Sequence, residues 1–166
     1  MIVVHGTAEL RRRVPGPAPG PGEGSTTWLG PWYATVLRWR RPAALVVNEA
    51  TLLPVVVALA PAKTLLARLP DAIADVLGAH HVPADLVEAE RAAMATVALA
   101  PTANRSVVGV MTELAYLAGP SPSGTPGPAE LLALSLQLAT APLGPLYKRH
   151  LSPDRELAAL VATRTG

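Results

Sequence analysis

The residues of this chain equipped for chemistry gather in two short motifs, Asn48-Glu49 and Asn104-Arg105-Ser106, with His5 as the histidine best placed to join them. Asn104 stands before an apolar stripe and suits the N-cap of a helix, whose first N–H groups lack intrahelical partners. With Arg105 and Ser106 beside it, such an end can attract phosphate or carboxylate. The plainer alternative is capping alone, with Arg105 solvated or paired to an acid. Glu49 falls between two apolar runs, so its carboxylate can serve as a general base or pair with Arg105. The plainer alternative there is a turn, which favours Asn48 and tolerates Glu49. Catalytic candidates are therefore Glu49, His5 and Ser106, and ligand-binding candidates are Asn48, Asn104, Arg105 and Ser106. Gly109, one turn into the same helix, costs about 1 kcal/mol relative to Ala. It points to a close approach there, by a ligand or by the sheet.

Other chemistries find less support. His80 and His81 are adjacent and point apart, His5 and His150 lie near opposite ends, and no HxH or HExxH spacing occurs, so no metal site is expected. Ser106 or Ser25 could join His5 or His150 in a hydrolase, yet no Gly-x-Ser-x-Gly elbow is present. Neither a dinucleotide fingerprint nor a Walker loop appears, and the prolines of Pro19 to Gly24 remove the donors a phosphate cradle needs. No cofactor is implied. Trp28, Trp32, Tyr33 and Trp39 interleave with Arg38, Arg40 and Arg41, a mixture suited to stacking bases and meeting phosphates. Strand alternation divides them: Tyr33, Thr35, Leu37 and Trp39 face one way, Ala34, Val36, Arg38 and Arg40 the other. Aromatic core with a solvated arginine rim is the simpler expectation.

Elements must position these motifs. Met1 to Val4 suits a buried strand and Ala8 to Val14 a short helix, after which Pro15 to Ser25, rich in Pro and Gly, reads as a mobile surface loop. Trp32 to Trp39, Ala43 to Val47 and Thr51 to Leu59 are β-rich runs joined by short connections, which favours an antiparallel meander. Leu65 to Leu77 repeats at helical spacing, with Pro70 tolerable only near a start and Gly78 as a C-terminal cap. A further helix begins at Pro83 or Ala84, and Met94 to Ala100 reads as a strand. Asn104 to Ala118 is the clearest helix, ended by Gly119. Glu130 to Ala141 and Ser152 to Thr163 follow as helices.

The expected fold is α+β: a small antiparallel sheet, made of the meander with the N-terminal strand and one later strand, packed with helices. One domain is expected over 1–166, with a body at 1–118, a flexible linker at 119–128, and a helical extension at 129–166. That leucine-rich extension is too small to bury its own core and should pack on the body or on a partner.

With 166 residues, 50% of them hydrophobic and 16% charged, the chain has material for a substantial core. Aromatics are only 4% and Phe is absent, so that core must be Leu, Val and Ala. A formal charge of +2 is weak for a protein that grips a polyanion, which disfavours nucleic acid as the main partner. The absence of cysteine removes disulfides, thiolate nucleophiles and Cys-ligated zinc. Ile2 to Val4 is followed at once by His5 and Gly6, unlike a secretory signal, and no run approaches the ~20 residues of a membrane span. A cytoplasmic protein without a membrane partner is expected.

Trp32-Tyr33-Ala34, then Val47 through Val57, then Asn104 through Met111, taken in that order and spacing, resemble a bacterial family known only as a domain of unknown function. Ala139 through Leu146 and Ser152-Pro153-Asp154 extend the resemblance over most of the chain. Members often carry Asn and an acid where Thr112 and Glu113 stand here. The resemblance bears on fold and boundaries and transfers no catalytic residue, cofactor or partner. The residues favour a small binding or interaction protein, working with a protein partner or by self-association. The rivals are a small enzyme or sensor holding an anionic ligand at Arg105 and Ser106, and a nucleic-acid-binding or toxin–antitoxin component using Arg38, Arg40 and Arg41.

Overall fold

The computed structural model describes all residues, 1–166. Strands β1 (Ile2–Gly6), β2 (Trp32–Leu37), β3 (Ala43–Asn48), β4 (Pro54–Ala58) and β5 (Val97–Pro101) form one sheet in the order β4-β3-β2-β1-β5. Helices α1 (Ala8–Arg13), α2 (Leu65–Ala79), α3 (Ala84–Ala93), α4 (Arg105–Leu117), α5 (Pro128–Leu138) and α6 (Pro153–Thr165) complete an α+β fold. The meander β2-β3-β4 is antiparallel, joined by short turns, whereas β1 runs parallel to both β2 and β5. Here the all-antiparallel expectation is corrected, and connection length is the reason. The chain leaves β1 through α1 and the long Pro/Gly segment, and leaves β4 through α2 and α3, and crossovers of that length return it in the same direction.

Alternation along the strands divides the core between the two faces. Ile2, Val4, Trp32, Ala34, Val36, Ala44 and Val46 pack against Leu69, Ile73 and Leu77 of α2. Tyr33, Leu37, Leu45, Val47 and Val56 pack against Val107, Val110, Met111 and Leu114 of α4. β3 is buried at every residue, as a central strand covered on both faces requires.

Both sheet edges are blocked. Along β4, the Val56 N–H donates to Ser135 Oγ of α5 at 2.9 Å, and Arg68 donates to the carbonyls of Ala58 and Leu59. Along β5, the Leu99 N–H donates to the Pro17 carbonyl at 2.8 Å. Covering edge groups in this way prevents strand addition by another chain. The Pro/Gly segment is pinned at its far end too, where Ser25 Oγ accepts the Val3 N–H at 2.9 Å.

Local details depart from the periodic pattern in two places. Pro70 lies inside α2, so the helix forgoes one N–H bond there. Gly78 is helical, and the left-handed step after α2 is taken by His81 at φ 63°. Gly119, at φ 81°, does end α4 as the glycine pattern suggests. The C-terminal extension docks on the body: Leu131, Leu138 and Leu146 enter the α4-side core and Leu157 the α2-side core. Buried Glu156, held by Arg149 and by His150 Nδ1 at 2.8 Å, ties the last loop to α6.

Candidate functional site

β1 and β2 place His5 opposite Tyr33, on the face toward α4. Their rings stack with centroids 4.8 Å apart and planes 20° apart. His5 Nδ1 lies 2.8 Å from the Pro101 carbonyl oxygen, which can only accept, so Nδ1 carries a proton and, in the neutral form of the ring, Nε2 is the acceptor. The Tyr33 ring is buried, and its hydroxyl oxygen accepts the Asn104 N–H at 3.0 Å. The Asn104 side chain then works in two directions. Its Oδ1 accepts the N–H groups of Ser106 and Val107 at 3.0 and 3.3 Å, and its Nδ2 donates to Glu49 Oε1 at 3.1 Å. His5 thus stacks on Tyr33, and hydrogen bonds join Tyr33 through Asn104 to Glu49, a cluster running from β1 across β2 to the turn after β3.

The candidates of the sequence divide within this arrangement. Glu49 and His5 are half-buried, Arg105 and Ser106 are exposed, and neither Glu49 nor Arg105 belongs to an ion pair. His5 bonds to Pro101 rather than to Ser106, so no serine–histidine pair is formed. The α4 end itself is largely closed to an anion. Ser106 and Val107 N–H groups go to Asn104 Oδ1 and the Val108 N–H goes to the Asn104 carbonyl, which leaves the Arg105 N–H and the Arg105 and Ser106 side chains.

Asn48 serves the turn rather than the surface. It is fully buried, its Nδ2 donates to the carbonyls of Leu29 and Pro31, and its Oδ1 accepts from both the N–H and the hydroxyl of Thr51. Those bonds hold a turn in which Leu52 adopts φ 61°, a left-handed conformation that costs a leucine about 1–2 kcal/mol. Asn48 therefore positions Glu49 and has no free group for a ligand. Gly109 also departs from expectation: a Cβ built there meets nothing within 4 Å, so neither the sheet nor another segment approaches it closely.

The arginine and aromatic mixture does not assemble a stacking surface. Trp32, Tyr33 and Trp39 are buried, and the Trp28 ring carries the Arg164 guanidinium 5.1 Å from its centroid. Arg38 is paired with Glu9 at 2.9 Å, while Arg40 and Arg41 are exposed. No group of three or more His, Cys, Asp or Glu side chains is arranged around a metal-sized space, and no helix is long and apolar enough to cross a membrane.

A family model matches residues 3–156, which takes in β2 to β5, all of β1 but Ile2, and the His5, Tyr33, Asn104 and Glu49 cluster. The chain belongs to the domain of unknown function DUF6933. No curated protein and no solved structure matches it. Within this DUF6933 domain, Tyr33 is the site residue that sequence reasoning overlooked. Its alternation position was legible, but its partnership with His5 depends on the parallel register of β1 and β2.

Proposed function

We propose that this chain is a small cytoplasmic ligand-binding protein, a sensor or a small enzyme, whose site is the start of α4 beside the Glu49 turn. The observation that supports this is the joining of Glu49 to Asn104 and, through Tyr33, to His5. Arg105 and Glu49 carry opposite charges on either side of that junction and do not neutralise each other. A ligand with an anionic group would meet the Arg105 guanidinium and the Ser106 hydroxyl, and Glu49 or the bare Nε2 of His5 would accept a hydrogen bond or a proton from it. Because the α4 N–H groups are mostly used internally, Arg105 supplies most of the attraction.

Amide shifts of the labelled chain, titrated with inorganic phosphate and with acetate, provide the test. Saturable shifts at Asn104 and Ser106 are expected, weakened about tenfold or more by Arg105→Ala. Affinities unchanged by Arg105→Ala for both anions would remove this reading.

A second reading, an interaction protein that meets a protein partner or a second copy of itself, is favoured by the exposure of Tyr116 at 85%, Tyr147 at 62% and Leu117 at 47%. Light scattering and a pull-down check it. A complex lost in Tyr116→Ser would support it, and a strict monomer retaining no partner would count against it.

A further inference from the structure

β1 stops at Gly6, opposite Ala34, while β2 continues to Leu37, and this mismatch in strand length leaves a notch beyond the end of β1. The notch is a groove of about 530 Å³, within the range of small-molecule sites, and its lining includes none of His5, Tyr33, Asn104 and Glu49. Its lining contains the hydroxyls of Thr7 and Thr35, 3.4 Å apart. Thr7 Oγ1 also accepts the Leu10 N–H. Since one threonine donates to the other, one hydroxyl proton remains free. Val108 and Ala115 of α4 supply apolar surface, and the Tyr116 ring stands exposed at the rim.

The far end is fixed by bonds that do not involve a ligand. Trp39 Nε1 donates to the Gly119 carbonyl at 3.2 Å, and the Arg40 N–H donates to Ser121 Oγ at 2.9 Å, leaving the Ser121 proton unassigned. These two bonds between side chain and backbone tie the segment after α4 to the end of β2. Its strongest charges are engaged with each other: Glu9 takes Arg38 at 2.9 Å and Arg13 at 3.3 Å. The Arg38 hydrogen bond holds the Glu9 carboxyl below its usual range, so the pair stays charged. Glu9 and Arg38 are the only charged residues of the lining and are paired with each other, so a ligand in the groove meets no unpaired charge.

We infer that this groove is a second binding site, for a neutral planar ring compound with hydrogen-bonding groups on its edge, of the chemical kind of a nucleoside. The ring would lie against Tyr116 and the apolar side chains of Val108 and Ala115, where the aromatic face favours a flat partner. Its edge groups would meet the Thr7, Thr35 and Ser121 hydroxyls.

Uridine is a suitable neutral probe and uridine 5′-monophosphate its charged counterpart, each titrated into the ¹⁵N-labelled full chain. Uridine should move the amides of Thr7, Thr35 and Thr112 saturably, and Thr35→Val, which keeps the shape and removes the hydroxyl, should weaken it by about 2- to 10-fold. Ala115→Trp, which fills the groove, should abolish the shifts while leaving the spectrum of β3 unchanged. If Ala115→Trp fails to fold, Thr35→Val alone decides. No saturable shift, shifts that survive both variants, or tighter binding of the monophosphate than of uridine would each overturn the inference.

Discussion

Asn104 and Glu49 meet through a hydrogen bond of 3.1 Å although 55 residues separate them in the chain. Asn104 is at once the cap of α4 and the link to the Glu49 turn, so its two roles can be separated by mutation. Asn104→Ala loses both and should lower stability by about 1 kcal/mol, within 0.5–2, in urea unfolding. Asn104→Ser keeps a capping oxygen and should recover most of that loss while leaving Glu49 without its partner. Equal losses in the two variants would mean that the Glu49 bond, rather than the cap, carries the stability.

Asn48 and Glu49, neighbours in sequence, should behave oppositely. Asn48→Ala strands the buried carbonyl of Leu29 and both Thr51 donors, and the cost should be about 2–4 kcal/mol. Glu49→Gln retains an oxygen for Asn104 and should change stability by less than about 0.5 kcal/mol. Chemical denaturation of the two variants in parallel is the check.

Gly109 has open space where a Cβ would stand, so Gly109→Ala should stabilise the chain by up to about 1 kcal/mol by restricting the unfolded state. A rise in thermal midpoint is expected. A fall would show that something outside the chain's own fold requires glycine at that exposed position.

Buried Glu90 and half-buried His80 give opposed pH dependences. Burial pushes the Glu90 carboxyl up from 4.5, partly offset by the N–H groups of Leu29 and Trp28. Between 4.5 and the raised value the folded chain holds more protons there than the unfolded chain, so stability falls as pH rises through that window. Burial lowers His80 from 6.5, opposed by Asp154 and reinforced by His81. Between the lowered value and 6.5 the unfolded chain holds more protons, so stability falls as pH drops below 6.5. Glu90→Gln should remove the first slope and His80→Gln the second, read from unfolding free energies across that range. Unchanged slopes in both variants would refute the assignment.

Much of the local structure was legible in residue order. The stripe Val107, Val110, Met111 and Leu114 predicts α4, Asn104 its cap and Gly119 its end, because capping and amphipathic spacing are properties of neighbours along the chain. The meander followed from short connections for the same reason. Pro70 and Gly78 lie inside α2 against their local propensity, because burial of the surrounding Leu69, Ile73 and Leu77 outweighs it.

The sequence by itself determined the composition of the core, the absence of cysteine chemistry, the cap and end of α4 and the identity of the polar motifs. Only the tertiary structure decided that β1 lies parallel between β2 and β5, and with it that His5 stacks on Tyr33, that Asn104 reaches Glu49, and that a groove opens where β1 ends. Strand order and register depend on which distant surfaces bury each other best, and that competition is settled among residues far apart in sequence.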